Sequence, residues 1–333
     1  MIFTDLKESD RKDLIEYISY RTGYSVNVIE KDWWVTSVLR ALFSLPYAEH
    51  CSLKGGTSLS KCWHLINRMS EDVDIGINRE FLGFRGDLSK TQISDKLRRA
   101  ACSFVRDKMS DDLRKELINQ GIPKELFDIN VNISPITTTD PETIYVSYKS
   151  LYLQSDYILP KVKVEISGRS MTEPTEKVQI QSYIKDGMVN ISVEEKAFNI
   201  NVASPERTFL EKLFLLHEEF SKPTENIRVE RMSRHLYDIS QMLKTDIGRN
   251  ALKDNNLYHA VLEHRKKFIG LKGFDYSTLN KSTLKIVPPE GKIRERWHMD
   301  YENTLLNMVM GETESFDIII KKLEELNESI NQE

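Results

Sequence analysis

Between Leu53 and Ile77 the chain reads LKGGTSLSKCWHLINRMSEDVDIGI, and no other stretch restricts the fold so closely. At its end Asp72, Val73, Asp74, Ile75 and Ile77 alternate polar and apolar. This is the pattern of a half-buried strand, with both carboxylates on one face and the apolar side chains in a core. At its start Gly55 and Gly56 permit a sharp turn and a close approach of backbone to ligand. A helix beginning at Thr57 or Ser58 would direct free N–H groups and its positive dipole end at that turn, which suits a phosphate. Two carboxylates side by side repel unless a cation lies between them, and Mg²⁺ takes oxygen ligands and commonly joins carboxylates to phosphates. Turn, helix and acidic strand in this order predict a metal-dependent nucleotidyl-transfer site. Each part alone is weak, since most Gly-Gly pairs are turns and an Asp-x-Asp can be a solvated strand face. A Walker-type phosphate loop is excluded, because Lys54 precedes the glycines and Lys61 falls a turn into the helix.

A two-metal site generally wants a further carboxylate. Glu165 is the candidate: Val162, Val164 and Ile166 alternate as a core face, leaving Lys161, Lys163 and Glu165 on the other. The same pattern describes a surface Lys–Glu ladder on an edge strand. Downstream, Ser204, Pro205 and Glu206 form a strong helix start, followed by the apolar stripe Phe209, Leu210, Leu213 and Phe214. Lys212 lies off the centre of that stripe, so its ammonium either reaches past apolar surface to a partner or snorkels at the helix edge. The next helix carries Arg231, Arg234, His235 and Asp238, and Arg234 and Asp238 have the spacing of a helical ion pair. Arg68 and Ser70, ahead of the acidic strand, read equally as positioning residues or as capping and core groups.

The runs KGGTSLSK and RMSEDVDIGI resemble the AbiEii/AbiGii toxin family of bacterial nucleotidyltransferases, within the DNA polymerase β-like superfamily. So do VIEKDWWVTSVLRAL upstream, with Glu30, Lys31 and Asp32 before an aromatic pair, and SPERTFLEKLFLLH, RHLYDI, DYENTLLNMV and SFDIIIKKLEELNESIN downstream. The likeness covers most of the chain, the closing helices being its least specific part. The glycine-to-aspartate spacing is longer than in many members of the superfamily and similar to that of the AbiEii branch. The resemblance implies transfer of a nucleoside monophosphate from an NTP to an acceptor hydroxyl, with release of pyrophosphate. Asp72, Asp74 and Glu165 would hold Mg²⁺, or Mn²⁺ in its place, and Glu165 would help activate the attacking hydroxyl. Gly55, Gly56, Thr57, Ser58 and Lys61 would hold the nucleotide's phosphates, Lys212 would offset charge on the departing pyrophosphate, and Asp238 would orient that lysine or the substrate. His235 is given no chemistry, because other members carry a different residue there. The resemblance further implies the toxin of a toxin–antitoxin or phage-defence system, with tRNA or another RNA as acceptor and a separate antitoxin.

The 333 residues allow two domains, or one core with a helical extension. The expected class is α+β, a polymerase β-like nucleotidyltransferase core with a mixed sheet and a helical C-terminal lobe. Residues 1–50 would supply two helices, broken near Gly23 and capped again at Ser25 or Asn27. The catalytic core would span 51–202, with helix over Ser89–Gln120 and strands at Asp128–Ser134, Thr143–Tyr148, Val162–Ile166, Val178–Ile184 and Asn190–Val202. The helical lobe would take 203–333. Within it, residues 265–296 carry nine Lys or Arg against Asp275, Glu290 and Glu295, with Phe268, Phe274 and Tyr276 interleaved. Such a loop suits RNA phosphates and exposed bases, or is a solvated linker. Residues 300–333 are acidic, and read as an amphipathic helix pair with a docking or merely soluble outer face.

A net charge of −4 excludes a generally basic nucleic-acid coat. Cys51, Cys62 and Cys102 lack the spacing of a zinc site or disulfide framework. No stretch approaches a membrane span, and the opening residues show no basic start followed by an apolar run, so a cytoplasmic protein is expected. Two rivals remain at this stage: the same chemistry on a small molecule or protein side chain, and a catalytically silent binding protein. The Asp72–Asp74 pair argues against the second, since a silent relative has no use for costly paired charges.

Overall fold

The computed structural model describes residues 2–70, 72–131, 141–153, 158–187 and 195–332. The chain divides into two units, Met1–Cys62 with Met69–Ala203, and Trp63–Arg68 with Ser204–Glu333.

The first unit is built on a mixed seven-stranded sheet of order β3-β4-β5-β2-β1-β7-β6. Its strands are β1 (Cys51–Lys54), β2 (Asp72–Ile77), β3 (Phe127–Val131), β4 (Glu142–Tyr148), β5 (Lys161–Ser167), β6 (Thr175–Ile180) and β7 (Phe198–Ala203). β2 runs parallel to β5 and antiparallel to β1, and β1 is parallel to β7. Leu53, Val73, Ile75, Val162, Val164 and Ile166 are buried, which accounts for the alternation seen along these strands. The helix expected over Ser89–Gln120 is present, and its buried stripe Ile93, Leu97, Ala101, Val105, Met109, Leu113 and Leu117 recurs every fourth residue. An ordinary helix would let such a stripe drift around its axis, and wider i→i+5 turns at Gln92–Leu97 and Val105–Met109 hold it to one side.

Two strand expectations need correction. The run Val178–Ile184 is strand only as far as Ile180, and Tyr183–Gly187 is a helical turn. There Ser182 Oγ accepts the Lys185 N–H, and the Tyr183 N–H goes to the Asp32 carboxylate instead of a ladder partner. The run Asn190–Val202 begins its strand at Phe198; residues 190–194, like 132–134 of the run Asp128–Ser134, lie outside the described residues.

The helices Glu8–Thr22 and Val26–Ser44 belong to this unit. The first ends at Gly23 in the left-handed conformation (φ 75°), and Ser25 caps the second by accepting the Val28 N–H. Val26–Ser44 is buried almost all round, including Glu30, Lys31 and Asp32. Each of these has a partner that offsets its desolvation. Glu30 accepts from Ser150 Oγ and the Leu151 N–H, and Lys31 Nζ donates to the carbonyls of Leu159 and Lys161 at the head of β5. Trp34 stacks on Tyr148 of β4 at 4.8 Å.

The second unit is helical. Pro205–Phe220 starts as expected, with the Ser204 hydroxyl accepting the Arg207 N–H. Gly248 meets Phe209 and Leu243 where the helices Pro205–Phe220 and Ile247–Lys253 pack, and a Cβ there would crowd both side chains. Asp300, on the helix Lys292–Met308, accepts the N–H groups of Arg231 and Ser233. The stretch 265–296 is less loop-like than its glycines and prolines suggest. Arg265–Ile269 continues the helix Asn255–His264, and Leu279, Leu284 and Ile286 are buried. Phe268 is buried too, so it cannot offer a stacking face; Phe274 packs edge-on against His217 and Tyr276. Part of the acidic tail is neutralised within the unit, Glu314 by Lys322 and Glu324 by Arg294.

His217 is neutral in this setting. Its Nδ1 accepts the Lys285 N–H at 2.9 Å while Nε2 lies 3.0 Å from Thr278 Oγ1. Burial, and secondarily the Lys285 charge, lower its pKa to about 4. Because the unfolded chain takes up this proton first, the contribution to stability is complete above about pH 6.5 and declines as pH falls towards about 4, by at most about 3 kcal/mol. Urea-unfolding midpoints across that window should therefore fall with acidification, and His217→Gln should flatten the slope.

Candidate active site

The acidic strand β2 places Asp72 and Asp74 on one face of the sheet, with Val73 and Ile75 buried on the other. Its parallel neighbour β5 sets Glu165 opposite Asp74 and Lys163 opposite Asp72. The residue read from its alternation as a third carboxylate thus stands directly beside the second aspartate. On the other side β1 sets Lys54 opposite Asp74. Residues opposite one another in a sheet share a face, so Lys54, Asp74 and Glu165 form one row and Asp72 and Lys163 the next. Lys54 and Lys163 share this face and were not picked out by the sequence alone, Lys54 having served only to exclude a Walker loop.

The glycine turn closes on this row. Gly55 has φ 75°, and a Cβ built on it would collide with the Asp74 carboxylate. The glycine is therefore required both for its conformation and for the space its hydrogen leaves to Asp74. The helix expected to start at Thr57 or Ser58 starts earlier, at Gly55, so that both glycines form its first turn, and it continues through Ser58–Cys62 with wider i→i+5 turns. Its side chains are engaged internally: Thr57 Oγ1 donates to the Asp72 carbonyl and Ser58 Oγ to the Gly55 carbonyl at 2.8 Å. The Thr57 hydroxyl ties the turn to the acidic strand, while the Ser58 hydroxyl and N–H are both spent on the Gly55 carbonyl, so neither serves a ligand as expected. Lys61 is similarly committed. Its Nζ lies 2.6 Å from the Asp32 carboxylate, with side chains 7% and 8% exposed. The charged triplet Glu30-Lys31-Asp32 inside an apolar helix was the available signal for this, since such charges need partners. Asp32→Asn would leave the Lys61 ammonium buried and unpaired, and is expected to cost about 3 kcal/mol in a urea-unfolding experiment.

Lys163 Nζ lies 2.8 Å from Glu165. Burial together with the charges of Asp74 and Asp72 raises the Glu165 pKa, against the pull of Lys163. Lys163 itself is held above its ordinary value by Glu165 and Asp72, which outweigh its burial. As placed, no three carboxylate, histidine or cysteine groups among the described residues converge closely enough to hold one ion. Glu165 instead pairs with the Lys163 ammonium, which also feels the charge of Asp72. A face of oxygen donors that already collects a positive charge fits a divalent cation, provided that Lys163 yields to it.

In the helical unit the remaining predicted residues form a second cluster. Lys212 Nζ is 2.8 Å from Asp238, and Arg68 grips the same carboxylate with Nε at 2.7 Å and Nη2 at 2.8 Å. Arg68 and Asp238 are buried at 2% and 0% exposure. The partners of Asp238 thus include two cations, neither of them its helical neighbour Arg234. Burial alone would raise the Asp238 pKa, but Arg68 and Lys212 hold it well below the carboxylate range. His235, left without a role in the sequence, has Nδ1 3.5 Å from Lys212 Nζ, and burial beside that ammonium keeps it neutral. Arg68 comes from the short segment Trp63–Arg68, which joins this unit through a bridge to Val309 and the bond from the Met310 N–H to the Asn67 carbonyl.

A mixed sheet carrying paired aspartates beside a glycine turn defines the class of the nucleotidyltransferases. The profile of the AbiEii toxin, a nucleotidyl transferase of type IV toxin–antitoxin systems, matches residues 37–322. The chain belongs to that family and is a nucleotidyltransferase of the toxin kind. Among solved structures it is similar to MenT4, a nucleotidyltransferase toxin of Mycobacterium tuberculosis H37Rv, at 14% identity and a TM-score of 0.43 over 98% of each chain. It is also similar to JHP933 of Helicobacter pylori, at 17% identity and a TM-score of 0.38 over 92% of this chain and 98% of the other. No curated protein sequence matches it. No helix among the described residues is long and apolar enough to cross a membrane.

Proposed function

We propose that this enzyme transfers a nucleoside monophosphate from an NTP to a hydroxyl of an RNA, with tRNA the foremost acceptor, acting in the cytoplasm as a toxin restrained by a separate antitoxin and serving phage defence. The observation that carries the chemistry is the register that puts Glu165 beside Asp74 while Gly55 closes against it. Asp72, Asp74 and Glu165 would hold Mg²⁺, which when bound supplies charge neutralisation at the reacting phosphate and acidifies the attacking hydroxyl. The Glu165 carboxylate, set beside Asp74 by the strand register, would orient that hydroxyl and receive its proton. Backbone N–H groups at Gly55, Gly56 and Thr57 would bind the β- and γ-phosphates, with Lys61 fixing the helix that presents them. Lys212, its ammonium set by Asp238, would offset charge on the departing pyrophosphate. Catalysis of this kind rests on positioning and electrostatics. For RNA, the support is the set of exposed cations Lys266, Lys267, Lys272, Lys285, Lys292 and Arg296 in the basic stretch.

The test is incubation with Mg²⁺, each labelled NTP in turn and total tRNA, beside an Asp72→Asn/Asp74→Asn variant. Label should appear on tRNA from at least one NTP and vanish with the variant. Label on protein or on a small molecule would keep the chemistry and replace the acceptor, and no transfer under any condition would discard the reading.

A further inference from the structure

The row of Lys54, Asp74 and Glu165 crosses three neighbouring strands, β1, β2 and β5. Its two ends differ. Glu165 is paired with Lys163 at 2.8 Å. Lys54, at the other end, is half-buried, and its side chain has no ion pair, hydrogen bond or ring contact among the described residues. Asp74 stands directly opposite it across β1 and β2. Opposite charges so placed ordinarily attract, yet the Lys54 ammonium forms no pair with that carboxylate.

The other lysines that could meet a phosphate are already engaged. Lys61 is paired with Asp32, and Lys161 lies over the Tyr145 ring. In the helical unit Lys212 shares the Asp238 carboxylate with Arg68. A half-buried charge with no partner in the chain is costly unless something else supplies one. A lysine ammonium is a compact point charge, the form in which lysine commonly holds a phosphate. The backbone of Lys54 is fixed on both sides, by its place in β1 and by the turn at Gly55, which packs against Asp74. The ammonium is therefore tethered beside the carboxylate that would hold the metal, and it remains free to meet an anion there.

The row also gives that anion a direction. Phosphoryl transfer proceeds in line, with the attacking and leaving oxygens on opposite sides of the phosphorus. With Glu165 orienting the attacking hydroxyl at one end of the row, the leaving group departs towards the other, where Lys54 stands.

We infer that Lys54 is a further catalytic residue, whose ammonium binds the leaving pyrophosphate of the NTP. This rests on the nucleotidyl-transfer reading and names the residue that receives the leaving group on the sheet. The acceptor oxygen bonds to the α-phosphorus, and its proton passes to Glu165. The bond from that phosphorus to the bridging oxygen breaks, and its electron pair stays on the pyrophosphate beside the Lys54 ammonium. No proton passes through Lys54, which acts as a fixed charge.

The test measures binding without turnover. Inorganic tripolyphosphate with Mg²⁺, which carries the phosphates without a base, is titrated calorimetrically into the full chain. Wild-type protein should bind it, and Lys54→Met should weaken binding about 10- to 100-fold, the range of one lost hydrogen bond to a charged group. Lys54→Arg, which keeps the charge, should retain most of the affinity. Because the Lys54 side chain has no partner among the described residues, Lys54→Met should leave the urea-unfolding midpoint in place. It should also bind Mg²⁺ alone no more weakly than wild type. Unchanged tripolyphosphate affinity in Lys54→Met would overturn the assignment even where NMP transfer is established. A parallel loss of Mg²⁺ binding or of stability would overturn it too, by making Lys54 a support for the turn. Conversely, a chain that never transfers NMP but shows these affinities would sink the transfer reading and leave the anion site standing.

Discussion

Gly55→Ala is expected to lower the rate of nucleotidyl transfer by at least about 100-fold, because displacement of a reacting group by about 1 Å already has that effect. Two costs combine at this position. The left-handed backbone, with φ 75°, penalises any side chain by about 1–2 kcal/mol. The new methyl group would also collide with the Asp74 carboxylate, so Asp74 has to leave the row that it forms with Glu165. Gly83→Ala separates the two effects. Gly83 has φ 88° and nothing within 4 Å of its notional Cβ, so it should suffer the backbone cost while keeping activity. Parallel measurement of labelled-NMP transfer and urea unfolding on both variants decides the matter. An active Gly55→Ala enzyme would show that Asp74 does not need its observed place.

Asp238→Asn should be among the most destabilising single substitutions, at about 3–5 kcal/mol, since it leaves Arg68 buried beside Lys212 without the carboxylate that compensates both. The same ion cluster carries a pH signature. The Asp238 carboxyl is held below its ordinary range in the folded protein. Its contribution is therefore complete above about pH 4 and lost as pH falls further. This window lies below that of His217, so the two can be told apart in one series of unfolding curves. Asp238→Asn should remove the lower limb and leave the upper one. A midpoint unchanged by the substitution would mean that the Arg68–Asp238–Lys212 cluster contributes nothing net to the fold.

The residues show why some of this was legible in one dimension. The alternation at Asp72–Ile77 and Lys161–Ser167, the cap at Ser204 and the helix end at Gly23 each depend on neighbours a few positions away, and each appeared where expected. The strand misread at Val178–Ile184 failed for the converse reason. Its last residues turn into helix because a carboxylate from Asp32, 151 positions distant in the chain, takes the Tyr183 N–H.

Side-chain roles divide in the same way. That Lys61 would spend its charge on Asp32 could be suspected from the charged triplet in an apolar helix. That Arg68 would clamp Asp238, 170 positions on, could not. Nor could the register that seats Glu165 against Asp74 be read from either strand, because a strand's alternation specifies its faces and leaves its neighbours and their alignment open. The sequence by itself determined the acidic strand, the glycine turn, the helix starts and the family. Only the tertiary structure decided which strands adjoin, that Gly55 must yield room to Asp74, that Lys163 pairs with Glu165, and that Lys54 stands opposite Asp74. Local periodicity is a property of a few adjacent residues, whereas register and ion pairing arise from segments that meet only when the chain has folded.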